Sequence, residues 1–228
     1  MFDRLEKLIG TENINKVKNA SILIVGVGGV GGTAFEALVR CGVGHITIID
    51  KDVFDVSNLN RQILSNQENI GLSKVDSAVL RAKSINPDID VVGLNMYLNS
   101  ENINNLKKYD FILDACDDVL AKLLLMEYAS NNNIQIISAM GTGKRLNPSN
   151  VIITRLDKTE NDPLAKKIRY EARRRGLSLK IPVVCSKEVA LNNDRVVASS
   201  IFVPSTAGLL MAYFVIEKVI NDWLLFCY

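Results

Sequence analysis

The stretch Ser21-Ile22-Leu23-Ile24-Val25-Gly26-Val27-Gly28-Gly29-Val30-Gly31 decides how this chain folds. Its first five residues form an apolar run of the length of a buried strand, and Thr33 to Val39 follow at helical spacing. The glycines between them turn strand into helix. Gly26, Gly28, Gly29 and Gly31 let the backbone approach a phosphate chain, and the helix N-terminus adds unpaired N–H groups and a partial positive charge. Asp50 closes the next strand-like run, His45-Ile46-Thr47-Ile48-Ile49-Asp50, 19 residues beyond Gly31, where a carboxylate suits a ribose hydroxyl. The loop alone fits a nicotinamide or flavin cofactor as well as ATP.

Outward from this stretch, strand and helix patterns alternate. Further strands are expected at Asp90–Val92, Phe111–Asp114 and Ile134–Ser138, with helices at Lys74–Ile85, Ser100–Lys107 and Val119–Asn131. Such alternation predicts an α/β fold: a Rossmann-like, mostly parallel sheet with helices on both faces. After about residue 145 the rhythm changes. Val151–Thr154 reads as a strand, and Pro182–Val184 and Val196–Val203 as short strands antiparallel to the earlier ones, before a closing helix over Ala207–Val219. Residues 1–228 read as one domain, a nucleotide-binding half over 1–145 and a substrate-side part over 146–228.

Composition narrows the chemistry. The 228 residues are 48% apolar, with 27 Lys+Arg against 25 Asp+Glu, one histidine and four cysteines, which excludes disordered, collagenous and coiled-coil classes. Cys41, Cys116, Cys185 and Cys227 form no C-x-x-C pair, so no structural zinc is expected. Any Ser-His-Asp chemistry would have to run through His45, which only introduces a strand. Met1-Phe2-Asp3-Arg4 carries no basic segment leading into an apolar one, which predicts a cytoplasmic protein with reduced thiols. The apolar run Ile201–Ile216 contains Pro204, Ser205 and Thr206 and stops at Glu217-Lys218. It falls short of the roughly 20 clean residues of a membrane span and reads as a buried helix.

The choice of ligand comes from the residues after Asp50. Asp50-Lys51-Asp52 leads into Ser57-Asn58-Leu59-Asn60-Arg61-Gln62, Gly71-Leu72-Ser73-Lys74 follows at a helix start, and Leu113-Asp114-Ala115-Cys116-Asp117-Asp118 ends a later strand. Arg61 and Lys74 can neutralise triphosphate oxygens, and an Asp can hold Mg²⁺. Attack on a nucleotide phosphorus needs all three, and hydride transfer has no evident use for them. Asp55 and Asp118 read as capping residues or as supports behind the site, and not as catalysts.

With these five motifs in order, residues 1–145 resemble the ThiF, MoeB and ubiquitin-activating family of adenylating enzymes. Within it, the short length, Asp162-Pro163-Leu164-Ala165, Cys185-Ser186-Lys187-Glu188 and Phe202-Val203-Pro204-Ser205 are similar to the branch that uses ATP to cyclise threonylcarbamoyladenosine in tRNA. The resemblance implies that Gly26, Gly28, Gly29 and Gly31 cradle phosphates, that Asp50 and Asp52 belong to the nucleotide site, and that Asn58, Arg61 and Lys74 contact the triphosphate. It implies that Asp117 holds or positions Mg²⁺. It also implies a homodimer in which an N-terminal arginine, Arg4, or else Lys7, completes the partner's site. The alternative within the family is adenylation of the C-terminal glycine of a ubiquitin-like sulfur carrier, and a sulfur-transfer protein is a partner the resemblance allows.

Two further features complete the reading. Cys185 is weighed as a covalent nucleophile and read instead as a buried structural thiol, and Cys41 and Cys116 read as core. Between Leu164 and Lys180, seven cations face only Glu171, so that segment carries +6 and the rest of the chain −4 within a total of +2. Lys166, Arg169 or Tyr170, and Arg173 one turn apart make a cationic ridge suited to phosphates, as tRNA binding needs.

Overall fold

The computed structural model describes residues 1–192 and 198–221. Seven strands form one sheet in the order β3-β2-β1-β4-β5-β7-β6. They are β1 (Ser21–Val25), β2 (His45–Asp50), β3 (Asp90–Asn95), β4 (Phe111–Asp114), β5 (Gln135–Ala139), β6 (Val151–Arg155) and β7 (Pro182–Ser186). The central strands are parallel, Ile24 of β1 lying between Ile48 of β2 and Leu113 of β4. Ile22, Leu23 and Ile24 are fully buried, as expected of a strand covered on both faces. β7 continues the parallel sheet beside β5, and β6 runs antiparallel to β7. The C-terminal part does add antiparallel pairing, but through β6: the strand at Pro182–Val184, expected to be antiparallel, is β7 and keeps the direction of the earlier strands.

The helices are α1 (Asp3–Ile9), α2 (Thr11–Asn19), α3 (Gly29–Arg40), α4 (Lys74–Ile85), α5 (Val119–Asn132), α6 (Pro163–Arg174) and α7 (Phe202–Ile220). Local chemistry sets several of their ends. Asp118 accepts from the Ala121 amide at the start of α5, and Asp162 accepts from the Ala165 amide at the start of α6 with Pro163 in the first turn. Asn133 ends α5 in the left-handed region at φ 53°. One large core gathers α3, α4 and α7 on one face of the sheet, with Phe35, Phe54 and Phe111 among its most buried side chains. On the other face, Leu125 and Ala129 of α5 pack on Leu23 and Ile112.

Two expected elements differ. Ser100–Lys107 holds only a 3-10 turn at Ile103–Asn105, because Asn99 and Asn102 bond neighbouring backbone groups and compete with a helix. The strand expected at Val196–Val203 is absent where it is described: Ala198–Ser200 are irregular and α7 begins at Phe202, with Val196 and Val197 outside the described residues. Pro204 falls in the first turn of α7, where its missing N–H costs nothing. By length and composition α7 could cross a membrane, yet Ala207, Met211 and Val215 are fully buried in the core. Cys227 and the apolar stretch 223–228 also lie outside the described residues.

The tightest contact is at the end of β1. Gly26 has φ 89°, and a Cβ there would stand 2.8 Å from the Ala115 backbone. A Cβ on Gly31 would stand 1.8 Å from the Gly26 carbonyl oxygen. Gly31→Ala should therefore destabilise the fold by about 2–3 kcal/mol, the scale of overpacking a rigid site. Urea unfolding followed by circular dichroism measures it.

Candidate active site

Strand order reverses direction between β1 and β4, and the crevice at such a switch point is where open α/β sheets bind ligands. A cavity of about 610 Å³ opens there. That volume lies within the range of roughly 300–1,000 Å³ typical of small-molecule sites. Gly26, Gly28 and Gly29 form one side, and Asp50, Asp52, Asn58, Arg61, Lys74 and Asp117 all line it. Residues separated by up to 91 positions in sequence are thus brought to one wall.

Each has a definite setting. Asp50 accepts from the Val27 amide through Oδ2 at 2.7 Å and from the Asp52 amide through Oδ1 at 2.9 Å, so it braces the glycine turn it faces. Lys74 is 6% exposed at the start of α4, and its Nζ lies 3.3 Å from Asp52 Oδ2. Asp52 is itself half exposed, which leaves that pair open to exchange with another anion. Arg61 donates to Ser57 O at 2.7 Å and Asn60 Oδ1 at 3.0 Å, and among the described residues it has no carboxylate partner. Asn58 is buried, with Oδ1 accepting from the Asp55 amide while Asp55 accepts from the Ser57 amide. This capping box shapes the turn that presents Arg61. Asp117 is exposed to the cavity without a hydrogen-bond partner among the described residues. Asp118 is a cap, as read from sequence: the Ala121 amide holds its carboxyl below the usual range, and Tyr97 also donates to it at 2.9 Å.

Two of the sequence candidates stand elsewhere. Gly31 lies inside α3, away from the cavity wall, where its contact with Gly26 accounts for it. Arg4 is exposed on α1, also off the wall. Phe2, just before α1, packs beside Gly42 beyond the C-terminus of α3, whereas the glycine loop is at the N-terminus of that helix. Twelve residues of α3 separate the two ends by about 18 Å at 1.5 Å per residue.

Other residues escaped the sequence reading. Gln62 is 6% exposed on the cavity wall, and its Oε1 is buried without a partner. A buried unpaired amide oxygen is costly, so a ligand that pairs with this amide relieves that cost. Cys116 packs against the core, as read, and also lines the cavity, donating through Sγ to Asp114 Oδ1 at 3.0 Å. Beneath it, Lys122 and Asp114 form a fully buried ion pair. Beyond the end of β5, Met140, Gly141, Thr142 and Gly143 complete the wall. Arg145 is buried and ties that loop together, donating to Gly141 O at 2.6 Å, Asn161 O at 2.8 Å and Glu188 O at 2.9 Å. Asp162 joins the same loop to α6, accepting from Gly141 N at 2.8 Å. None of these carries a local motif, because their partners are distant in sequence.

The basic segment forms α6 and the turn after it. Ala165, Ile168 and Ala172 face the core, and Lys166, Lys167, Tyr170, Arg173 and Arg174 face solvent. Arg169 departs from the expected ridge, since its guanidinium turns back to Thr159 O at 2.9 Å and to the Thr159 hydroxyl.

These features define a Rossmann-like α/β protein with a glycine turn and two cations gathered on the crevice at the sheet's switch point. The ThiF family model matches residues 2–175, and the chain belongs to the ThiF family. It is 34% identical over 241 residues to tRNA threonylcarbamoyladenosine dehydratase of Bacillus subtilis, covering 97% of this chain and 95% of that one. Its fold is similar to the crystal structure of Escherichia coli tRNA N6-threonylcarbamoyladenosine dehydratase in complex with AMP. The TM-score is 0.93 at 31% identity, over 97% of this chain and 94% of that one. The structure of the same E. coli enzyme in complex with ATP gives a TM-score of 0.92 at 30% identity, with the same coverage.

Cys185 lies on β7, 2% exposed and off the cavity wall. Burial, reinforced by the charge of Asp162, pushes its thiol up to about 11. A raised pKa keeps the unreactive thiol form through neutral and mildly alkaline pH. Iodoacetamide at pH 8, with peptide mass mapping, should alkylate Cys185 at least about tenfold more slowly in native than in urea-unfolded protein. The native rate should rise only as the pH approaches 11.

Proposed function

We propose that this protein adenylates the carboxylate of threonylcarbamoyladenosine in tRNA with ATP and closes it to a cyclic product, releasing AMP and pyrophosphate. The observation that carries this reading is the convergence of Asp50, Arg61, Lys74 and Asp117 with the glycine loop on one cavity. The residues fit ATP. The loop has backbone where side chains would intrude, the orphaned Gln62 amide faces the same space, and Met96, Leu98 and Ala115 supply an apolar wall near Asp50 for a purine. Among the described residues no three His, Cys, Asp or Glu converge as a metal site. Mg²⁺ is commonly held by one carboxylate together with waters and phosphates, which matches Asp117 facing a triphosphate. When bound, the ion would neutralise charge on the phosphates.

In this scheme the substrate carboxylate attacks the α-phosphorus, the bond to pyrophosphate breaks, and an acyl-adenylate forms. Arg61 and Lys74 stabilise charge gathering on the phosphate oxygens. The carbamoyl group of the same side chain then attacks the acyl carbon, its N–H proton goes to solvent, and AMP leaves. Because nucleophile and electrophile share one side chain, the closure gains from a high effective concentration. The nucleoside loses one water in total, and its oxygen departs with AMP. No step requires an enzyme cysteine, in keeping with the burial of Cys185.

The same reading makes residues 1–228 one adenylating unit that acts as a cytoplasmic homodimer. Arg4 sits at the end of its own α3 remote from the glycine loop, so it serves the site of a second copy. Phe202, Leu209 and Tyr213 leave an exposed apolar stripe along α7 suited to a two-fold contact.

Arg61→Ala, Lys74→Ala and Asp117→Ala should each lower AMP formation at least about 100-fold, the size of losing one oriented charge at a phosphoryl centre. Their circular dichroism should match the wild type. Nucleoside mass spectrometry of modified tRNA incubated with protein, ATP and Mg²⁺ should show loss of one water. AMP formation only with a sulfur-carrier peptide would transfer the reading to the alternative substrate.

The exposed cations of α6 are the proposed contact for tRNA phosphates, since Leu164 in the first turn of that helix lines the cavity. Lys166→Glu combined with Arg173→Glu should raise the KM for tRNA about tenfold or more and reduce the slope of log affinity against log salt by about 2, one for each phosphate contact. Filter binding across a salt series measures both.

A further inference from the structure

Directly under the cavity lies a charge network that the adenylation scheme leaves unused. Lys122, on α5, and Asp114, the last residue of β4, are both 0% exposed. Lys122 Nζ lies 3.1 Å from each Asp114 oxygen, 3.2 Å from Ser138 Oγ and 2.7 Å from Ala139 O at the end of β5. Asp114 also accepts from the Ser138 hydroxyl at 2.5 Å, from the Cys116 amide at 3.3 Å and from the Cys116 thiol at 3.0 Å. On one side the network shapes the turn that presents Asp117. On the other it holds the strand end from which Met140 to Gly143 continue as the cavity wall.

A buried ion pair is a poor stabiliser, because desolvation of both charges offsets their attraction and an apolar pair of similar volume would serve as well. What it does supply is direction. The ammonium and carboxylate each take several partners at defined distances, so the ends of β4 and β5 are set relative to each other and to α5. We propose that Lys122 is a positioning residue for the adenylation reaction: through Asp114 and Ala139 O it fixes the Asp117 turn against the Met140–Gly143 wall. The inference rests on the adenylation reading and adds a residue to it. Its effect falls on the geometry of the reacting groups and on the Mg²⁺ requirement, and little on ATP capture, because Arg61, Lys74 and the glycine loop are carried by other elements.

Three variants of the full chain test this: Lys122→Arg, Lys122→Met, and Lys122→Met combined with Asp114→Asn, which removes both charges together. AMP formation is measured with ATP and modified tRNA across a Mg²⁺ titration, beside thermal unfolding. Lys122→Met should lower kcat about 30-fold or more while the KM for ATP changes less than about threefold, the pattern of an interaction that matters only in the transition state. The Mg²⁺ concentration for half-maximal rate should rise. The double variant should recover thermal stability but not kcat, and Lys122→Arg, which keeps a cation, should restore a large part of kcat. If Lys122→Met does not fold, the other two variants decide. A double variant with wild-type stability, kcat and Mg²⁺ dependence would reduce the pair to a structural role and overturn the proposal. Failure of the adenylation reading looks different: the wild-type protein itself would form no AMP, and this inference would fall with it.

Discussion

At the end of β1 the backbone of Gly26 comes so near α3 that a Cβ on Gly31 would stand 1.8 Å from the Gly26 carbonyl oxygen. This contact sets where α3 begins and therefore where its N-terminal amides point. The Val27 amide is held by Asp50 from the neighbouring strand, so the turn is braced from β2 as well as from α3. A phosphate-binding turn depends on backbone groups whose direction cannot be adjusted by a rotamer. On the proposed function, the tight packing around this turn is a condition of binding phosphate, and the cations at Arg61 and Lys74 have meaning relative to it.

The charges around the cavity are arranged at graded cost. Lys74 is nearly buried yet paired with the exposed Asp52, and Arg61 is held by neutral oxygens. Both remain available to an incoming polyanion. Lys122 and Asp114 are sealed and fully committed to one another and to their neighbours. An exposed pair contributes little to stability, and a sealed one imposes geometry. The site thus combines exchangeable charges at its surface with a fixed pair under its floor.

Much of this was legible in the residues. The glycine loop followed a strand and opened a helix, Asp50 closed a strand, Lys74 began a helix and Asp117 lay between a strand and a helix, so motif and context agreed there, while Arg61 sits in a turn after the 3-10 turn Val56–Asn58. The capping roles of Asp55 and Asp118 were likewise readable, because an Asx cap uses only backbone a few residues away. The expected helix at Ser100–Lys107 failed because asparagine side chains took the local backbone groups, and the described part of the expected strand at Val196–Val203 failed because the apolar residues from Phe202 onward belong to a core helix. Apolar runs of that length do not distinguish strand from helix by periodicity alone.

The sequence by itself determined the fold class, the position of the glycine turn and most of the residues that gather around it, since each is encoded in a few consecutive positions. Only the tertiary structure decided that Gly31 packs instead of lining the cavity, that Arg169 turns away from the cationic face, that Arg4 is exposed on α1 off the cavity wall, and that Cys185 is sealed within β7. It alone revealed Gln62, Arg145 and the Lys122–Asp114 pair as parts of the cavity and its supports. The physical reason is common to all of them: direction, burial and pairing depend on neighbours supplied by distant elements, and no local pattern carries that information.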